Sequence, residues 1–321
     1  MWPASLALLI LAACAPTTAA KAPTAAVKAP ATASRLVSFQ SAGYKLEGTL
    51  TSPQGGATSA GILIIGGSGP IDRDGLARIA VSTPPIYRWW AEGLTAAGFT
   101  VLRYDKRFLT YPSIDIAAFD QEAQIADALA ALAALRTAPE VVGRDVFIIG
   151  HSEGGTLAPV VATRAGAVAG VVLVNTLVFP VDELLVAQLD ANQTISKAVV
   201  ADTRTRLDAI KADSFPPDGT LLGAGAGYWK QWIEYSSSSA ARLAELPVAL
   251  LLVQCLRDQT LPGATLERNK AILRATAAKN RRARLHELAG HDHFAMRPGE
   301  REEPSPEFMS TVIGWLRQVA R

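Results

Sequence analysis

Gly150-His151-Ser152-Glu153-Gly154-Gly155 is the most informative stretch of this chain. It follows an apolar, β-branched run at 145–149 and precedes a helix-like run at 156–164. Gly-x-Ser-x-Gly between a strand and a helix is typical of the sharp turn that exposes a nucleophilic serine. Glycines at 150 and 154 have no Cβ, so the strand and the helix can approach each other closely there. The pattern predicts that Ser152 is a nucleophile above a helix N-terminus, whose dipole favours developing negative charge.

The composition is that of a globular protein. The chain has 321 residues, of which 49% are hydrophobic and 19% are charged, which suffices for one large α/β domain. The net charge of +2 gives no electrostatic argument for nucleic-acid binding. The two cysteines are Cys14 and Cys255, and if Cys14 is modified, Cys255 has no disulfide partner in this chain.

The N-terminus reads as a targeting segment. Leu11-Ala-Ala-Cys14 follows the apolar run Ser5–Leu11 and resembles the lipobox of a bacterial lipoprotein signal peptide. The run is too short to span a bilayer as a permanent helix. We predict a signal peptide over residues 1–14, lipidation of Cys14, and a location in the cell envelope, facing the periplasm or exterior, with membrane contact only through the lipid. The alternatives are a secretory signal cut within 15–20, giving a secreted or periplasmic protein, and an exposed tail. The Ala-, Pro-, Thr- and Lys-rich residues 15–34 predict a flexible linker.

The remaining residues, 35–321, predict one α/β domain. Alternating residues at Leu36–Gln40 and Tyr44–Leu50 indicate an antiparallel hairpin. Apolar runs then alternate with helix-like segments, which favours βαβ units and a mostly parallel sheet flanked by helices. Residues 179–246 interrupt this alternation, and an insertion there, after the sixth strand, would form a helical cap over the strand ends. The apolar runs are Gly61–Ile65, Phe99–Tyr104, Val146–Ile149, Gly170–Val174, Pro247–Val253 and Ala283–Leu288.

A serine hydroxyl needs a base to accept its proton. Of the four histidines, His151 lies within the turn, where its side chain should point away from the serine, and His286 lies within a predicted strand. His291 and His293 lie in the loop after the last strand, where catalytic groups of such sheets gather. We predict His293 as the base, with His291 as the alternative.

The base in turn needs a buried acid, which should lie between the serine and the histidine in the chain. Asp258 fits because it follows the predicted strand at 247–253. Asp182 and Asp190 lie in the predicted cap and are less well placed.

Two backbone N–H groups are needed to stabilise the oxyanion of an acyl-transfer intermediate. One should come from Glu153, the residue after the nucleophile. The other should come from the glycine-rich loop after Gly61–Ile65, and we predict the Ser68 amide, with that of Gly67 as the alternative.

From Arg35 onward the chain resembles the α/β-hydrolase superfamily. Ile65–Gly75 is similar to the oxyanion loop of a bacterial esterase-like branch labelled serine aminopeptidase-like or acyl-thioesterase-like, and Gly98–Arg107 to its next strand and turn. Gly-x-x-His-Phe at Gly290–Phe294 matches the family's histidine loop at His293. The resemblance implies the α/β-hydrolase fold and hydrolysis through a covalent acyl-enzyme.

The chain departs from this family pattern at two places. Phe108–Tyr111 replaces a glycine-rich turn, which should reshape the rim of the pocket, and Cys255 replaces a glycine that usually precedes the acid. Asp105 and Arg107 are expected to form a structural pair beneath the sheet edge rather than to act in catalysis.

The residues together predict a serine hydrolase that cleaves small carboxylic esters through an acyl-enzyme on Ser152. The alternatives are a thioester hydrolase, a serine aminopeptidase-like peptidase, or a non-catalytic binding protein of the same fold. We expect no cofactor, and no metal, since His291 and His293 have no Cys or further His beside them. Four aromatic residues could line an acyl pocket or form the cap's own core: Tyr228, Trp229, Trp232 and Tyr235.

Overall fold

The computed structural model describes residues 32–55, 58–77, 83–114, 119–299 and 303–320. The predicted signal peptide, Cys14 and the predicted linker up to residue 31 lie outside these ranges. The first strand begins at Thr32, three residues before the predicted start of the domain. Within the described ranges, no helix combines the length and the apolar character required to cross a bilayer.

Eight strands of the described ranges form the main sheet. All neighbouring pairs are parallel except the two that involve the second strand, so the predicted mostly parallel sheet is confirmed. In chain order the strands are β1 Thr32–Ser41, β2 Tyr44–Pro53, β3 Gly61–Ile65, β4 Thr100–Tyr104, β5 Val146–His151, β6 Gly170–Val174, β9 Ala249–Cys255 and β10 Ala283–Leu288. Their order across the sheet is β1-β2-β4-β3-β5-β6-β9-β10.

The predicted N-terminal hairpin is also confirmed, because β1 pairs antiparallel with β2 through Ser41 and Tyr44. The two residues that connect the strands have positive φ, 47° at Ala42 and 85° at Gly43. Such a two-residue turn matches the right-handed twist of the flanking strands.

The ten helices of the described ranges cover both faces of the sheet or lie in the segment between β6 and β9. Side chains of β3 alternate between two apolar cores, with Leu63 in one and Ile62 and Ile64 in the other. The continuous apolar runs of the sequence therefore correspond to strands buried on both faces. The helices are α1 Ile86–Ala96, α2 Arg107–Thr110, α3 Gln121–Thr137, α4 Glu153–Ala165, α5 Val181–Ala191, α6 Lys197–Lys211, α7 Ala226–Ser237, α8 Ser239–Glu245, α9 Ala264–Lys279 and α10 Pro306–Val319.

Residues 179–246, called the helical insertion below, contain helices α5 to α8. Residues of α5, α6 and α7 share a third apolar core, separate from those on the two faces of the sheet. The insertion also contains a small hairpin of two-residue strands, β7 Thr220–Leu221 and β8 Ala224–Gly225, which the sequence pattern did not predict because the strands are so short. Action of the insertion as a cap stays a prediction.

Candidate active site

Ser152 lies at a sharp turn between β5 and α4. Its φ of 55° and ψ of −120° are unusual for a residue with a side chain, and such strain persists where the surroundings enforce it. Ser152 is half-buried and borders a pocket with about 530 Å³ of empty space. The turn therefore presents the hydroxyl at the carboxyl edge of the sheet, as its sequence predicts.

Three glycines around Ser152 allow this close packing. A Cβ at position 150 would lie 2.4 Å from the carbonyl oxygen of Gly154, and one at position 154 would lie 2.2 Å from that of Ile65. A Cβ at Gly155, which the sequence analysis did not single out, would lie 2.7 Å from the Cβ of Thr176. Real Cβ atoms essentially never approach other atoms this closely, so a side chain at any of these positions would force its neighbours to shift.

We expect Gly154→Ala to lower the free energy of unfolding by about 3 kcal/mol, because the methyl group must displace the backbone of β3. Urea-induced unfolding measures the change. Gly314→Ala is a matched control, since a Cβ there meets nothing within 4 Å in the middle of α10. That control should leave stability unchanged or raise it by about 0.5–1 kcal/mol. Equal behaviour of the two variants would contradict the packing argument.

His293 and Asp258 form a buried hydrogen-bonded pair. The His293 Nδ1 lies 3.0 Å from both carboxylate oxygens of Asp258. Thr260 supports the pair, since its backbone N–H (2.9 Å) and its hydroxyl (2.6 Å) both donate to Asp258 Oδ1. These contacts fix the orientation of the imidazole ring, which also borders the Ser152 pocket.

The charges of this pair reinforce each other. Burial lowers the pKa of His293, but the Asp258 charge and hydrogen bond outweigh burial and hold the pKa above its ordinary value. Burial raises the pKa of Asp258, but the interaction with His293 and the Thr260 hydrogen bonds hold it below its ordinary value. Asp258 is thus an ionised carboxylate that stabilises a proton on His293, which is what a base of this kind requires.

His151 lies beneath the histidine loop and forms part of a hydrogen-bond relay. The Gly67 N–H donates to the Tyr87 hydroxyl (2.7 Å), which lies 2.8 Å from His151 Nδ1. The His151 Nε2 lies 2.9 Å from the carbonyl oxygen of His293. Burial lowers the pKa of His151 to about 3, so the ring is neutral. The Tyr87 hydroxyl therefore donates to Nδ1 and the Nε2–H donates to the His293 carbonyl, which joins the oxyanion loop to the histidine loop.

This relay distinguishes the two candidate donors of the oxyanion loop. The Gly67 N–H is occupied by Tyr87, whereas Ser68 borders the pocket beside Ser152. Glu153 is the first residue of α4, so its N–H has no intrahelical acceptor and is available at the pocket edge. The geometry favours the amides of Ser68 and Glu153 over that of Gly67.

His291 is fully buried away from these groups, and both of its ring nitrogens are engaged. Its Nδ1 lies 2.9 Å from the Ala289 carbonyl oxygen, and its Nε2 lies 2.6 Å from the Ser305 hydroxyl. Its own carbonyl accepts a hydrogen bond of 2.8 Å from the Arg257 N–H, next to Asp258. His291 therefore connects the loops that carry Asp258 and His293.

The Glu153 side chain, for which the sequence analysis assigned no role, is a buried carboxylate with several donors. Tyr228 of the insertion donates to its Oε1 at 2.6 Å. Lys106 lies 3.0 Å from its Oε2. Two glutamine side chains of α3 donate to Oε1 as well, those of Gln121 and Gln124. Burial raises the pKa of Glu153, but the Lys106 charge and the hydrogen bonds outweigh it and lower the pKa below its ordinary value. The ionised Glu153 joins the turn at Ser152 to both α3 and α7.

The lowered pKa gives Glu153 a defined effect on pH stability. Its ionised form stabilises the fold above the ordinary pKa of 4.5, and this contribution is lost as the pH falls through the lower folded pKa. We expect Lys106→Met to destabilise the protein by about 3 kcal/mol at neutral pH, because it leaves a buried carboxylate without its cation. Without the lysine charge, burial raises the pKa of Glu153 in this variant. The difference in the free energy of unfolding from the unmodified protein should therefore shrink as the pH falls towards 5, because Glu153 of the variant becomes protonated.

Urea-induced unfolding at pH 7 and pH 5 tests this expectation. Lys197→Met is the matched control, since Lys197 pairs with Asp190 on the surface, where both side chains are more than half exposed. It should change stability by less than about 1 kcal/mol at either pH. A Lys106→Met deficit that is the same at both pH values would contradict the role assigned to Glu153.

The structure does not bring the other candidate acids to Ser152. Asp190 pairs with Lys197, and Asp182 accepts a hydrogen bond of 3.0 Å from Lys211, within the insertion. Within the described ranges, no three His, Cys, Asp or Glu side chains are grouped so as to hold a metal ion.

The prediction that Asp105 and Arg107 form a pair is wrong. Asp105 accepts hydrogen bonds from Arg73, at 2.5 and 2.9 Å to the same oxygen, and Arg107 instead pairs with Asp127 of α3 at 2.5 Å. Arg107 begins the one-turn helix α2, and its side chain is thereby directed towards α3 rather than back to Asp105.

Three of the four aromatic residues of the insertion belong to its own core, and two of these three also border the pocket. Trp229 and Trp232 border the pocket and also belong to the core of the insertion. Tyr228 is fully buried against Glu153. Tyr235 is half-buried against one of the two cores beside the sheet, and its hydroxyl donates to Glu122.

The sequence analysis assigned no role to several groups that shape the site: Tyr87, Lys106, Asn175, Tyr228 and Thr260. Asn175 has a φ of 50° and donates to the His293 carbonyl at 2.8 Å. A polar residue directly after a buried strand at the carboxyl edge of the sheet was a usable signal for Asn175. The other groups act through contacts between distant segments, for which the sequence carries no local signal.

Known proteins resemble this chain in sequence and in fold. Residues 83–308 match the model of the alpha/beta hydrolase family. Esterase EstD of Thermotoga maritima is 32% identical over 208 residues, which are 64% of this chain and 48% of the relative, so the chain spans about half the length of that curated relative.

Solved structures share the fold at low sequence identity. A lipase in an open form superposes with a TM-score of 0.62 at 18% identity, covering 89% of this chain and 99% of the lipase. An esterase of Pyrococcus furiosus superposes with a TM-score of 0.58 at 13% identity, covering 95% of this chain and 97% of the esterase. The proline iminopeptidase of Mycobacterium smegmatis superposes with a TM-score of 0.57 at 14% identity, covering 88% of this chain and 98% of the peptidase. The family model matches most of the length of this chain, which also has the mostly parallel sheet and the sharp turn at Ser152. The chain therefore belongs to the alpha/beta hydrolase family.

Proposed function

We propose that this protein hydrolyses small carboxylic esters through an acyl-enzyme on Ser152. The observation that carries the proposal is that Ser152 and His293 border one pocket, where His293 is hydrogen-bonded to the buried Asp258. The similarity to a curated esterase supports the same activity.

In the proposed mechanism, the Ser152 hydroxyl attacks the ester carbonyl while His293 Nε2 accepts its proton. Asp258 stabilises the imidazolium that results. The amides of Ser68 and Glu153 donate hydrogen bonds to the oxyanion. His293 then returns the proton to the departing alcohol, and the acyl group stays on Ser152. A water molecule, deprotonated by the same histidine, attacks the acyl-enzyme and releases the acid.

The pocket favours an ester over a peptide with a free amino terminus. A peptidase of that kind needs acidic groups that face the substrate amine, and the one carboxylate among the described residues that border the pocket is Glu153. Its oxygens are already engaged by Lys106, two glutamines and Tyr228. The remaining walls are mainly apolar and suit an acyl chain: Leu177, Val181, Leu184, Leu185, Trp229, Trp232 and Leu261.

Hydrolysis of a substrate panel tests the proposal. The panel contains p-nitrophenyl esters of short and long acids, an acyl-CoA thioester, and arylamides of proline and other amino acids. We expect kcat/KM for the best ester to exceed that for any arylamide by at least about 100-fold. Activity on arylamides alone would overturn the ester assignment, a preference for the thioester would move it to thioesters, and no turnover at all would favour a binding protein.

We also propose a cell-envelope location with a lipid on Cys14. The motif that supports this lies outside the described residues. Cys14→Ala should move the protein from the membrane fraction to the soluble fraction, or leave it as an unprocessed precursor, because the thiol is the site of lipidation. Fractionation together with the mass of the mature N-terminus measures the outcome. A mature chain that begins within residues 15–20 with a free amine would support ordinary secretion instead.

A further inference from the structure

Two residues that border the pocket each carry a buried polar group with no hydrogen-bond partner among the described residues. They are the indole N–H of Trp232 and the hydroxyl of Thr156. Trp232 is 5% exposed and Thr156 is fully buried. Burial of a polar group without a partner is unfavourable, so two such groups in side chains that border one pocket point to an acceptor that arrives with the ligand.

The neighbouring residue Trp229 shows how a buried indole N–H is usually satisfied. Trp229 stacks on Trp232 with ring centroids 5.6 Å apart, and it borders the same pocket. Its indole N–H donates to the carbonyl oxygen of Leu221 at 2.8 Å. Of these two buried indoles, the insertion therefore satisfies that of Trp229 and leaves that of Trp232 without a partner among the described residues.

The two unpaired groups lie on helix faces that are in contact. Tyr228 and Trp232 are four residues apart on α7, and Glu153 and Thr156 are three residues apart on α4, so each pair shares one helix face. The hydrogen bond between Tyr228 and Glu153 holds these two faces together. The unpaired donors thus lie on two helices that a hydrogen bond joins, rather than on a loop.

Resting on the proposed esterase function, we propose that the pocket selects acyl groups carrying a second oxygen acceptor, such as a ketone or ether oxygen, which Trp232 binds through its indole N–H and Thr156 through its hydroxyl. The second oxygen is expected in the acyl group rather than in the alcohol. The acyl chain stays on Ser152, whereas the alcohol must leave and water must enter. The leucine-rich walls around these donors accommodate the rest of the chain.

Matched pairs of p-nitrophenyl esters test this selectivity. One member of each pair carries a ketone next to the terminal methyl group, as in 4-oxopentanoate, 5-oxohexanoate and 6-oxoheptanoate. The other member has a methyl branch in place of the ketone oxygen, so that shape is kept and the acceptor is lost. In at least one pair, kcat/KM should favour the ketone in the unmodified protein, and Trp232→Phe should lower that preference about tenfold. Thr156→Val should lower the same preference by a smaller factor.

Trp229→Phe is the matched control, because the N–H that it removes is already bonded within the insertion. It should change both members of each pair by the same factor. A ketone preference that changes less than twofold in both Trp232→Phe and Thr156→Val would overturn the inference and indicate that water satisfies these groups.

Binding to the Ser152→Ala variant separates this inference from the proposed function. Calorimetry with the same ester pairs measures the preference without turnover, and Trp232→Phe in that background should lower the preference for the ketone about tenfold. If the unmodified protein hydrolyses neither ester, the esterase proposal fails, whereas the binding preference still decides the role of Trp232. Equal binding of both esters would overturn that role even if hydrolysis is observed.

Discussion

Replacing Ser152 with alanine is expected to lower kcat for ester hydrolysis by about a millionfold, because the nucleophile of the acyl-enzyme is removed. The fold should persist, since Ser152 is half-buried at the pocket and its side chain makes no capping hydrogen bond to α4. Steady-state hydrolysis of p-nitrophenyl esters and urea-induced unfolding measure the two quantities.

Ser310→Ala is the control for this experiment, because that serine lies exposed on α10 and donates only to the Glu307 carbonyl. It should change kcat less than twofold. The residual rate of Ser152→Ala should not exceed about 10³–10⁴ times the uncatalysed rate, which is what oxyanion stabilisation and binding alone provide. A higher residual rate would mean that another group attacks the ester.

The second large effect is expected from His293→Ala, which should lower kcat about as much as Ser152→Ala, because the residues of a triad act as a unit. Asp258→Asn should lower kcat about 10⁴-fold, since an amide would favour the wrong tautomer of His293. His291→Ala should lower kcat about tenfold or less and act mainly on stability, since His291 connects Ala289 and Ser305. The reverse ranking of the two histidines would reject His293 as the base.

The pH dependence of kcat/KM gives an independent measurement of the same residue. His293 accepts a proton only when it is neutral, and Asp258 holds the pKa of His293 above its ordinary value of 6.5. Activity should therefore fall, as the pH is lowered, with an inflection above 6.5 in the free enzyme. An inflection below 6.5 would contradict the pairing with Asp258.

The sheet could be predicted from the sequence because its strands are short apolar runs that are buried on both faces. The same holds for the turn at Ser152, where the spacing of Gly150 and Gly154 follows directly from the contact distances. The roles of Ser152, Asp258 and His293 stay predictions. Their order along the chain and their positions after strands nevertheless sufficed to choose residues that the fold assembles at one pocket edge.

Contacts between distant segments could not be predicted in the same way. The partners of Glu153 come from two helices and a loop, and no local pattern relates Tyr228 to a residue 75 positions earlier. Asp105 and Arg107 show the opposite error, because closeness in sequence suggested a pair. Backbone direction at the start of α2 decides which way each side chain faces, and charge pattern alone carries no information on it.

The Tyr228–Glu153 bond also restricts how a ligand can reach the pocket. A hinge motion that swings α7 outward would strip a donor from a buried carboxylate, at a cost of about 1–3 kcal/mol or more. The α5 side is held differently, by the half-buried Gln188, which donates to the Thr260 carbonyl at 2.7 Å. The contact of α5 with α9 through Glu183 and Arg268 is already about half exposed, so its loss should cost less. We therefore expect a ligand to enter by displacement of α5 rather than of α7.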